Sequence, residues 1–302
     1  MVRRLFYNHS HAMKTANTTA LLCLCLFVMA CTKETATPPT ALTEEASIRE
    51  IAQIEVVLHE LEGLYFNHTY QLYLKDESGR IDSHRPEYNH FAGIGDCANL
   101  DLNTDQNTLS LDFGEGCEDN FGQTRSGKIS IDYTYADDRT GNKATIHLKD
   151  YGFQKLLVDG EIQLERMADS PGADLKNYAL SFTDMVITQS NTNQTAFSGN
   201  RTLVLTDFED SNPRTATLNV IQSISGTLSD GSSFSKNTSN GLIFLSQCWS
   251  AGTYFPNQGS ESYRINNQPY SIDINSGCSY IFNVTTDSEE RFEVNLSNSF
   301  SN

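Results

Sequence analysis

Apolar and polar residues alternate with a period of two along most of the chain from Asn107 onward. Strict alternation buries one face of a strand and leaves the other in water, which is typical of antiparallel sheets. The clearest apolar sets are Leu109, Leu111 and Phe113; Ile129, Ile131 and Tyr133; Ala144, Ile146 and Leu148; Tyr178, Leu180 and Phe182; Tyr270, Ile272 and Ile274; and Phe292, Val294 and Leu296. The pattern predicts an antiparallel meander of about ten strands, built as a sandwich or as a curved open sheet.

Turn-forming pairs separate several of these runs. Tight connections are predicted at Gly141-Asn142, Gly199-Asn200, Asp230-Gly231 and Asn266-Asn267, because Gly and Asn adopt the positive φ that hairpin turns need. Asp159-Gly160 is open to two interpretations, a hairpin tip or a glycine at which a strand bends.

A helical pattern precedes the strands. Its apolar residues recur at steps of three or four: Ile48, Ile51, Ile54, Leu58, Leu61 and Tyr65. Ser47 and Glu50 have the spacing of a capping box, and Gly63 predicts the end of the helix. We therefore expect one N-terminal helix over about 44–62, covering a sheet face with its apolar stripe and holding His59 at its polar edge. Residues 43–302 then form a single, mainly β domain.

The stretch Ala20–Ala30 contains neither a charge nor a proline. It is shorter than the roughly 20 apolar residues that span a bilayer, but it fits the apolar core of a signal peptide. Its end, Val28-Met29-Ala30-Cys31, resembles the lipobox of bacterial lipoproteins. We expect residues 1–30 to be a signal peptide that is cleaved between Ala30 and Cys31.

Lipid on the Cys31 thiol would then be the attachment to a membrane, because two or three acyl chains form a stable anchor. Residues 31–42 are polar and contain Pro, and we expect them to be a lipidated, disordered tether. The alternative is an ordinary secretory signal in which Cys31 is incidental.

The net charge of −17 narrows the range of partners. An acidic protein of this kind is repelled by nucleic acid, so nucleic-acid binding is excluded. The 38% of hydrophobic residues is enough for a sizeable core in a chain of this length.

Four cysteines follow the anchor: Cys97, Cys117, Cys248 and Cys278. An even number in an exported chain predicts disulfides, and the sequence-local pairs are Cys97 with Cys117 and Cys248 with Cys278. Four cysteines allow three pairings, so the connectivity stays open. A four-cysteine metal site is the rival interpretation, but the chain has no C-x-x-C motif.

Two short segments partly match nucleotide-binding motifs. The run Gly122–Lys128 matches a P-loop up to its lysine, but Ile129 stands where Ser or Thr would bind magnesium, and a strand pattern follows instead of a helix. The run Gly93–Ala98 resembles a dinucleotide fingerprint without the strand before it or the helix after it. We reject both, and we expect no cofactor.

The densest carboxylate cluster is a weak calcium candidate. It comprises Asp112, Glu115, Glu118 and Asp119. Calcium prefers several oxygens on a turn, but the spacing is not that of an EF-hand, and a solvated acidic turn is the simpler interpretation. No other metal site is expected. Trp249 either packs beside a disulfide or stacks on sugars together with Tyr254.

The string Leu109–Cys117, followed by Gly122–Tyr133, resembles a signature of uncharacterised β-rich lipoproteins of the Bacteroidetes type. That signature is DFG-x-G-C followed by G-R-T-R-S-G-K-I, and Gln123 here replaces its first arginine. The resemblance implies a β meander, a later cysteine pair that matches Cys248 and Cys278, and an outer-membrane location. It implies no catalytic residues.

The sequence also lacks the G-x-S-x-G and H-E-x-x-H motifs, and we expect no catalytic residues. The leading hypothesis is a non-enzymatic envelope module that binds a protein or a glycan. A second is a carrier that holds an apolar ligand in a groove lined by Tyr133, Tyr178 and Phe182. A third is a glycan hydrolase with two facing carboxylates on different strands.

The lipid anchor makes the first testable prediction. Cys31→Ala removes the thiol that would carry the lipid, so we expect it to abolish incorporation of a labelled fatty acid and to release the protein from the membrane fraction. Cys23→Ala, which changes a cysteine inside the apolar run, is the matched control and should keep the label. Labelled Cys31→Ala protein would contradict the prediction.

Overall fold

The alternating runs form strands, as the sequence predicts, and there are thirteen of them in the described residues instead of about ten. A computed structural model describes residues 42–73, 97–103, 105–134, 141–168, 175–189, 193–206, 216–249 and 251–300. The strands are β1 Asn99–Asn103, β2 Thr108–Glu118, β3 Thr124–Tyr133, β4 Lys143–Phe153, β5 Leu156–Arg166, β6 Lys176–Gln189, β7 Asn193–Thr206, β8 Thr217–Thr227, β9 Ser233–Leu245, β10 Gln258–Ile265, β11 Gln268–Asn275, β12 Ile281–Thr286 and β13 Arg291–Asn295.

Each strand pairs antiparallel with the next one along the chain, so the thirteen strands make one open sheet in sequence order. This arrangement confirms the meander and selects the curved open sheet over the sandwich. Register shifts interrupt the pairing of several strand pairs, including β2 with β3, β5 with β6 and β8 with β9. Such bulges bend a strand and increase its twist, which lets the sheet curve.

The turn predictions have mixed outcomes. Asp230-Gly231 and Asn266-Asn267 lie in turns, whereas Gly199-Asn200 lies inside β7, so that prediction is wrong. Gly199 is needed there because a Cβ would come within 2.5 Å of the Ser223 carbonyl oxygen on β8. Gly160 is the bend and not the hairpin tip: it lies inside β5 at a register shift, with a φ of 135°.

The N-terminal helix α1 spans Glu44–Tyr73. It begins at the predicted residue, but the capping residue is Thr43, whose Oγ1 accepts the N–H of Ala46 at 3.3 Å, so the capping box predicted at Ser47 and Glu50 is wrong. The prediction that the helix ends at Gly63 is also wrong. Gly63 lies within the helix and is packed close to Tyr254: a Cβ at this position would be 3.9 Å from the Tyr254 ring. The later described residues contain two short helices, α2 at Ser246–Trp249 and α3 at Ser297–Phe300.

The sheet curves around α1. Every side chain from Ile51 to Phe66 is buried, so the helix has no solvent-exposed face over this range. It contacts strands that are far apart in the sheet. Glu60 accepts a hydrogen bond from Arg125 on β3, and Arg49 donates one to the carbonyl of Asn295 on β13. The expectation of an amphipathic helix on one sheet face is therefore wrong, because the sheet encloses the helix.

Both predicted disulfides are present. Cys97 is bonded to Cys117 and Cys248 to Cys278, with Cα atoms 5.5 Å and 5.2 Å apart. The bonds exclude a four-cysteine metal site, and each closes a loop whose restriction stabilises the fold. Residues 1–41, which include Ala30, Cys31 and most of the expected tether, lie outside the described residues. Within the described part, no helix has the length and apolar character needed to span a membrane.

The enclosed helix makes Leu58 a sensitive probe of the core. Leu58 is fully buried, and Leu58→Ala should lower the free energy of unfolding by about 2–5 kcal/mol because it leaves a cavity between helix and sheet. The control is Ile221→Ala on the outside of β8, where the side chain is 58% exposed and the change should stay within about 0.5 kcal/mol. Urea unfolding with the disulfides intact measures both, and equal effects would contradict an enclosed helix.

Candidate functional site

Helix α1 carries three carboxylates and a histidine into the core: Glu55, His59, Glu60 and Glu62. A buried charge is costly unless it is paired and hydrogen-bonded, so each of these groups requires partners from the sheet. The expectation that His59 lies at a polar, solvated edge is wrong, because no part of it is exposed.

Glu55 is the centre of a four-residue contact across three neighbouring strands. Arg201 on β7 donates from Nη2 to Glu55 Oε1 at 2.8 Å. Gln222 Nε2 on β8 and Lys236 Nζ on β9 both donate to Glu55 Oε2, each at 2.6 Å. Burial alone would raise the pKa of Glu55, but the charges of Arg201 and Lys236 outweigh it and lower the pKa to about 2.

A second carboxylate, Glu261 on β10, closes the same cluster. Its Oε1 accepts a hydrogen bond from Gln222 Nε2 at 2.7 Å and lies 3.4 Å from Lys236 Nζ. Its Oε2 accepts the hydroxyl of Tyr263 at 3.0 Å. Burial raises the pKa of Glu261, although Lys236 opposes this effect. The cluster therefore contains one carboxyl that ionises readily and one that retains its proton more readily.

Glu62 and His59 extend this cluster along the helix. Glu62 Oε1 lies 3.1 Å from Arg201 Nε, and Glu62 Oε2 lies 3.2 Å from His59 Nδ1. Burial raises the pKa of Glu62 to about 8, with Glu55 adding to the effect and Arg201 opposing it. Burial and Arg201 lower the pKa of His59 well below 6.5. At neutral pH a protonated Glu62 thus faces a neutral imidazole, which stacks on Phe244 with ring centroids 3.6 Å apart.

A separate buried cluster surrounds Glu60. Its Oε1 accepts from Arg125 Nε at 2.7 Å and from the Tyr151 hydroxyl at 2.8 Å. Arg125 also donates to Asp119 Oδ2 at 2.6 Å and to the Tyr254 hydroxyl at 3.0 Å. Burial raises the pKa of Glu60, and Arg125 opposes this effect. The guanidinium thereby joins α1 to β3 and to the segments after β2 and α2.

The two clusters contain more acidic than basic groups. Five carboxyls (Glu55, Glu60, Glu62, Asp119 and Glu261) accompany three cations (Arg125, Arg201 and Lys236). Full ionisation would leave excess negative charge in the core, so protons retained by carboxyls with raised pKa values complete the balance. All eight side chains are buried, and none is more than 6% exposed.

The calcium candidates do not converge on one point. Asp119 is buried and binds Arg125, and its Oδ1 also accepts the backbone N–H groups of Phe121 and Gln123. Asp112 accepts the N–H of Gly114, while Glu115 and Glu118 are exposed. Within the ranges that the structure describes, no group of three His, Cys, Asp or Glu side chains is arranged to hold a metal ion.

The aromatic candidates are part of the packed core. Trp249 and Tyr254 are buried, which excludes a sugar-stacking platform. Tyr178 meets Phe66 of the helix with ring centroids 5.0 Å apart, and Phe182 meets Phe197 at 5.7 Å. The concave face on which the carrier hypothesis depends is therefore covered by α1 along the described strands.

The outer face of the sheet carries a different pattern. Register places six small polar residues in one row across β6 to β11, and all six are exposed: Ser181, Asn200, Ser223, Asn237, Ser262 and Ser271. We call this row the Ser/Asn row. The only charged residues of β7, β8 and β9 are Arg201 and Lys236, and both point inward. The outside of these three strands is therefore uncharged in a strongly acidic protein.

Sequence reasoning missed the buried clusters, although a signal was present. Four polar residues stand at strand positions that the alternation assigns to the apolar, inward face: Arg201, Gln222, Lys236 and Glu261. Gln222, for example, lies between the apolar Val220 and Ile224 on this face of β8. A charged residue in an apolar phase is a candidate for a buried ion pair. Comparisons of the chain with known protein families, with characterised proteins and with solved structures found no match.

The raised pKa of Glu62 predicts a pH-dependent stability. A carboxyl whose folded pKa (about 8) exceeds its ordinary value of 4.5 stabilises the fold while protonated. This contribution is complete below about pH 4.5 and is lost as the pH rises towards 8. Glu62→Gln, which stays neutral, should make the decline between pH 5 and 8 shallower by up to about 1.4 kcal/mol per pH unit.

Urea unfolding at several pH values measures this slope. Glu45→Gln is the matched control, because Glu45 lies on the same helix with its side chain 53% exposed, and it should leave the slope unchanged. An unchanged slope in Glu62→Gln would contradict a protonated Glu62.

Proposed function

We propose that the chain is an exported lipoprotein, anchored in the outer membrane through Cys31, whose β domain is a non-enzymatic module that binds an uncharged glycan. The lipobox-like sequence supports the anchor, and the Cys31→Ala experiment tests it. The two disulfides support export, because such bonds persist in oxidising compartments. The resemblance to lipoproteins of the Bacteroidetes type supports the outer-membrane location.

The Ser/Asn row is the observation that carries the binding proposal. Neighbouring strands lie about 4.8 Å apart, so the row presents hydroxyl and amide groups at regular intervals across six strands. Hydroxyls and amides both donate and accept hydrogen bonds, as the hydroxyls of a sugar do. A glycan chain lying across the strands could therefore find a partner on each of them.

The absence of charge from the outside of β7, β8 and β9 selects the class of glycan. Anionic polymers are repelled by a protein of net charge −17, and no outward cation on β7, β8 or β9 offsets the repulsion. Cationic partners would prefer the acidic parts of the surface. Protein interfaces favour aromatic residues and Arg, and they are depleted in Ser. An uncharged polysaccharide fits these properties better than a protein does.

A non-catalytic role is supported by the burial and the pairing of the carboxyls in the core. Each is held by cations or hydroxyls and is closed to solvent, so a pair of facing carboxyls for hydrolysis is not offered to a substrate there. The Ser/Asn row itself contains no titratable group.

Affinity electrophoresis in gels that contain dextran, a neutral β-glucan or alginate tests the proposal. The neutral polymers should retard the full chain, and the anionic alginate should not. Asn237→Asp preserves the acceptor for the 2.8 Å hydrogen bond from Ser223 but replaces an amide donor with a charge. It should weaken the retardation about two- to tenfold, as expected for the loss of one hydrogen bond.

The matched control is Asn275→Asp, which makes the same change at an exposed position of β11 outside the row. Normal retardation of this variant is expected. Equal weakening by both substitutions, retardation by alginate alone, or no retardation by any of the three polymers would overturn the proposal.

A further inference from the structure

Lys236 and Gln222 contact the same two carboxyl groups inside the sheet. Their side-chain nitrogens share two acceptors. Lys236 Nζ and Gln222 Nε2 are each 2.6 Å from Glu55 Oε2, and they lie 3.4 Å and 2.7 Å from Glu261 Oε1. Two nitrogens bound to the same two oxygens are themselves neighbours, so a primary amine lies beside a carboxamide.

The sheet fixes this arrangement. Lys236 on β9 is paired in register with Ile224 on β8, two residues from Gln222, and both side chains point inward. Diagonal neighbours of this kind on one sheet face lie within reach of long side chains. Lys236 is fully buried and Gln222 is 4% exposed. The two groups are held together where water does not compete, which is the condition under which proximity accelerates a reaction most.

The amide of Gln222 is also incompletely satisfied. Both of its N–H groups are donated to carboxyls, but its carbonyl oxygen Oε1 has no hydrogen-bond partner in the described structure. All other side-chain polar atoms of Lys236, Glu55 and Glu261 are paired. The unsatisfied group is thus the carbonyl that a nucleophile would attack.

We propose that Lys236 and Gln222 become joined by an intramolecular amide bond. Nζ of Lys236 forms a bond to Cδ of Gln222, the bond from Cδ to Nε2 breaks, and Nε2 leaves as ammonia. Lys236 begins as an ammonium with three protons. One passes to Glu55, one reaches the departing nitrogen through Glu261, and one remains on the new amide. No oxidant, reductant or cofactor is required.

The two carboxyls are placed for these proton transfers. Glu55 accepts a hydrogen bond from Nζ and is the base that releases the free amine for attack. Glu261 accepts a hydrogen bond from Nε2 and supplies the proton that makes this nitrogen a leaving group. Burial raises the pKa of Glu261, whereas Arg201 and Lys236 lower the pKa of Glu55, so the two carboxyls differ in their affinity for a proton. The cluster keeps its net charge, because the proton on Glu55 offsets the lost ammonium.

A tryptic digest of the denatured, reduced and alkylated full chain tests the link. Gln222 and Lys236 lie between Arg214 and Arg264, and Lys236 is the only intervening site for trypsin. Trypsin does not cut after an acylated lysine. We therefore expect one uncut peptide, 215–264, whose mass is lower than its sequence mass by one ammonia.

Two separate peptides, 215–236 and 237–264, at their full sequence masses would overturn the proposal. Lys236→Met is the control for other losses of ammonia, such as cyclisation at Asn240-Gly241. This variant also gives peptide 215–264, and the proposal requires its full sequence mass. A remaining deficit in Lys236→Met, or a deficit in wild-type protein that trypsin still cuts after Lys236, would assign the loss to another site and overturn the link.

Discussion

The buried carboxylate of Glu55 is the constraint on which the arrangement of helix and sheet depends. Its partners Arg201, Gln222 and Lys236 come from three consecutive strands, so the contacts fix the rotation of α1 and the register of β7, β8 and β9 together. Removing one partner of a buried ion pair costs about 3–5 kcal/mol, because the remaining charge is left uncompensated. A helix with so many acidic residues can be enclosed because the sheet supplies cations and hydrogen-bond donors and because Glu62 retains its proton.

This pairing has a consequence for the outside of the sheet. β7 and β9 each contribute one charged residue, and both are used in the core. The outward positions of the same strands are occupied by Ser, Thr and Asn with a few apolar residues. The strands that neutralise the helix therefore present the uncharged Ser/Asn row to solvent. The internal ion pairs and the proposed binding surface therefore belong to the same set of strands.

The sequence predicts the elements better than their assembly. Alternation identifies β2 to β4, β6 and β10 to β13, and the cysteine spacing identifies both disulfides. It misses the short β1 at Asn99–Asn103 and also the long strands β5, β7, β8 and β9. In β7 to β9 the row of apolar inward residues is interrupted by Arg201, Gln222 and Lys236. The continuation of α1 past Gly63 is missed because a glycine is a stop signal only where the helix end is free, whereas here the helix is held on all sides by packing.

The buried site is harder to predict because the amphipathic rule assigns polar helix positions to solvent. That rule holds for a helix lying on a sheet face and fails for one inside a curved sheet, where Glu55, Glu60 and Glu62 all meet protein. The strands do carry the missing information. Arg201 and Lys236 occupy inward strand positions where the pattern expects apolar residues, and each needs a buried anion as a partner. Glu55 of the acidic helix contacts both cations, so cations at inward strand positions, together with acidic residues on a helix, are a sequence signal for an enclosed helix.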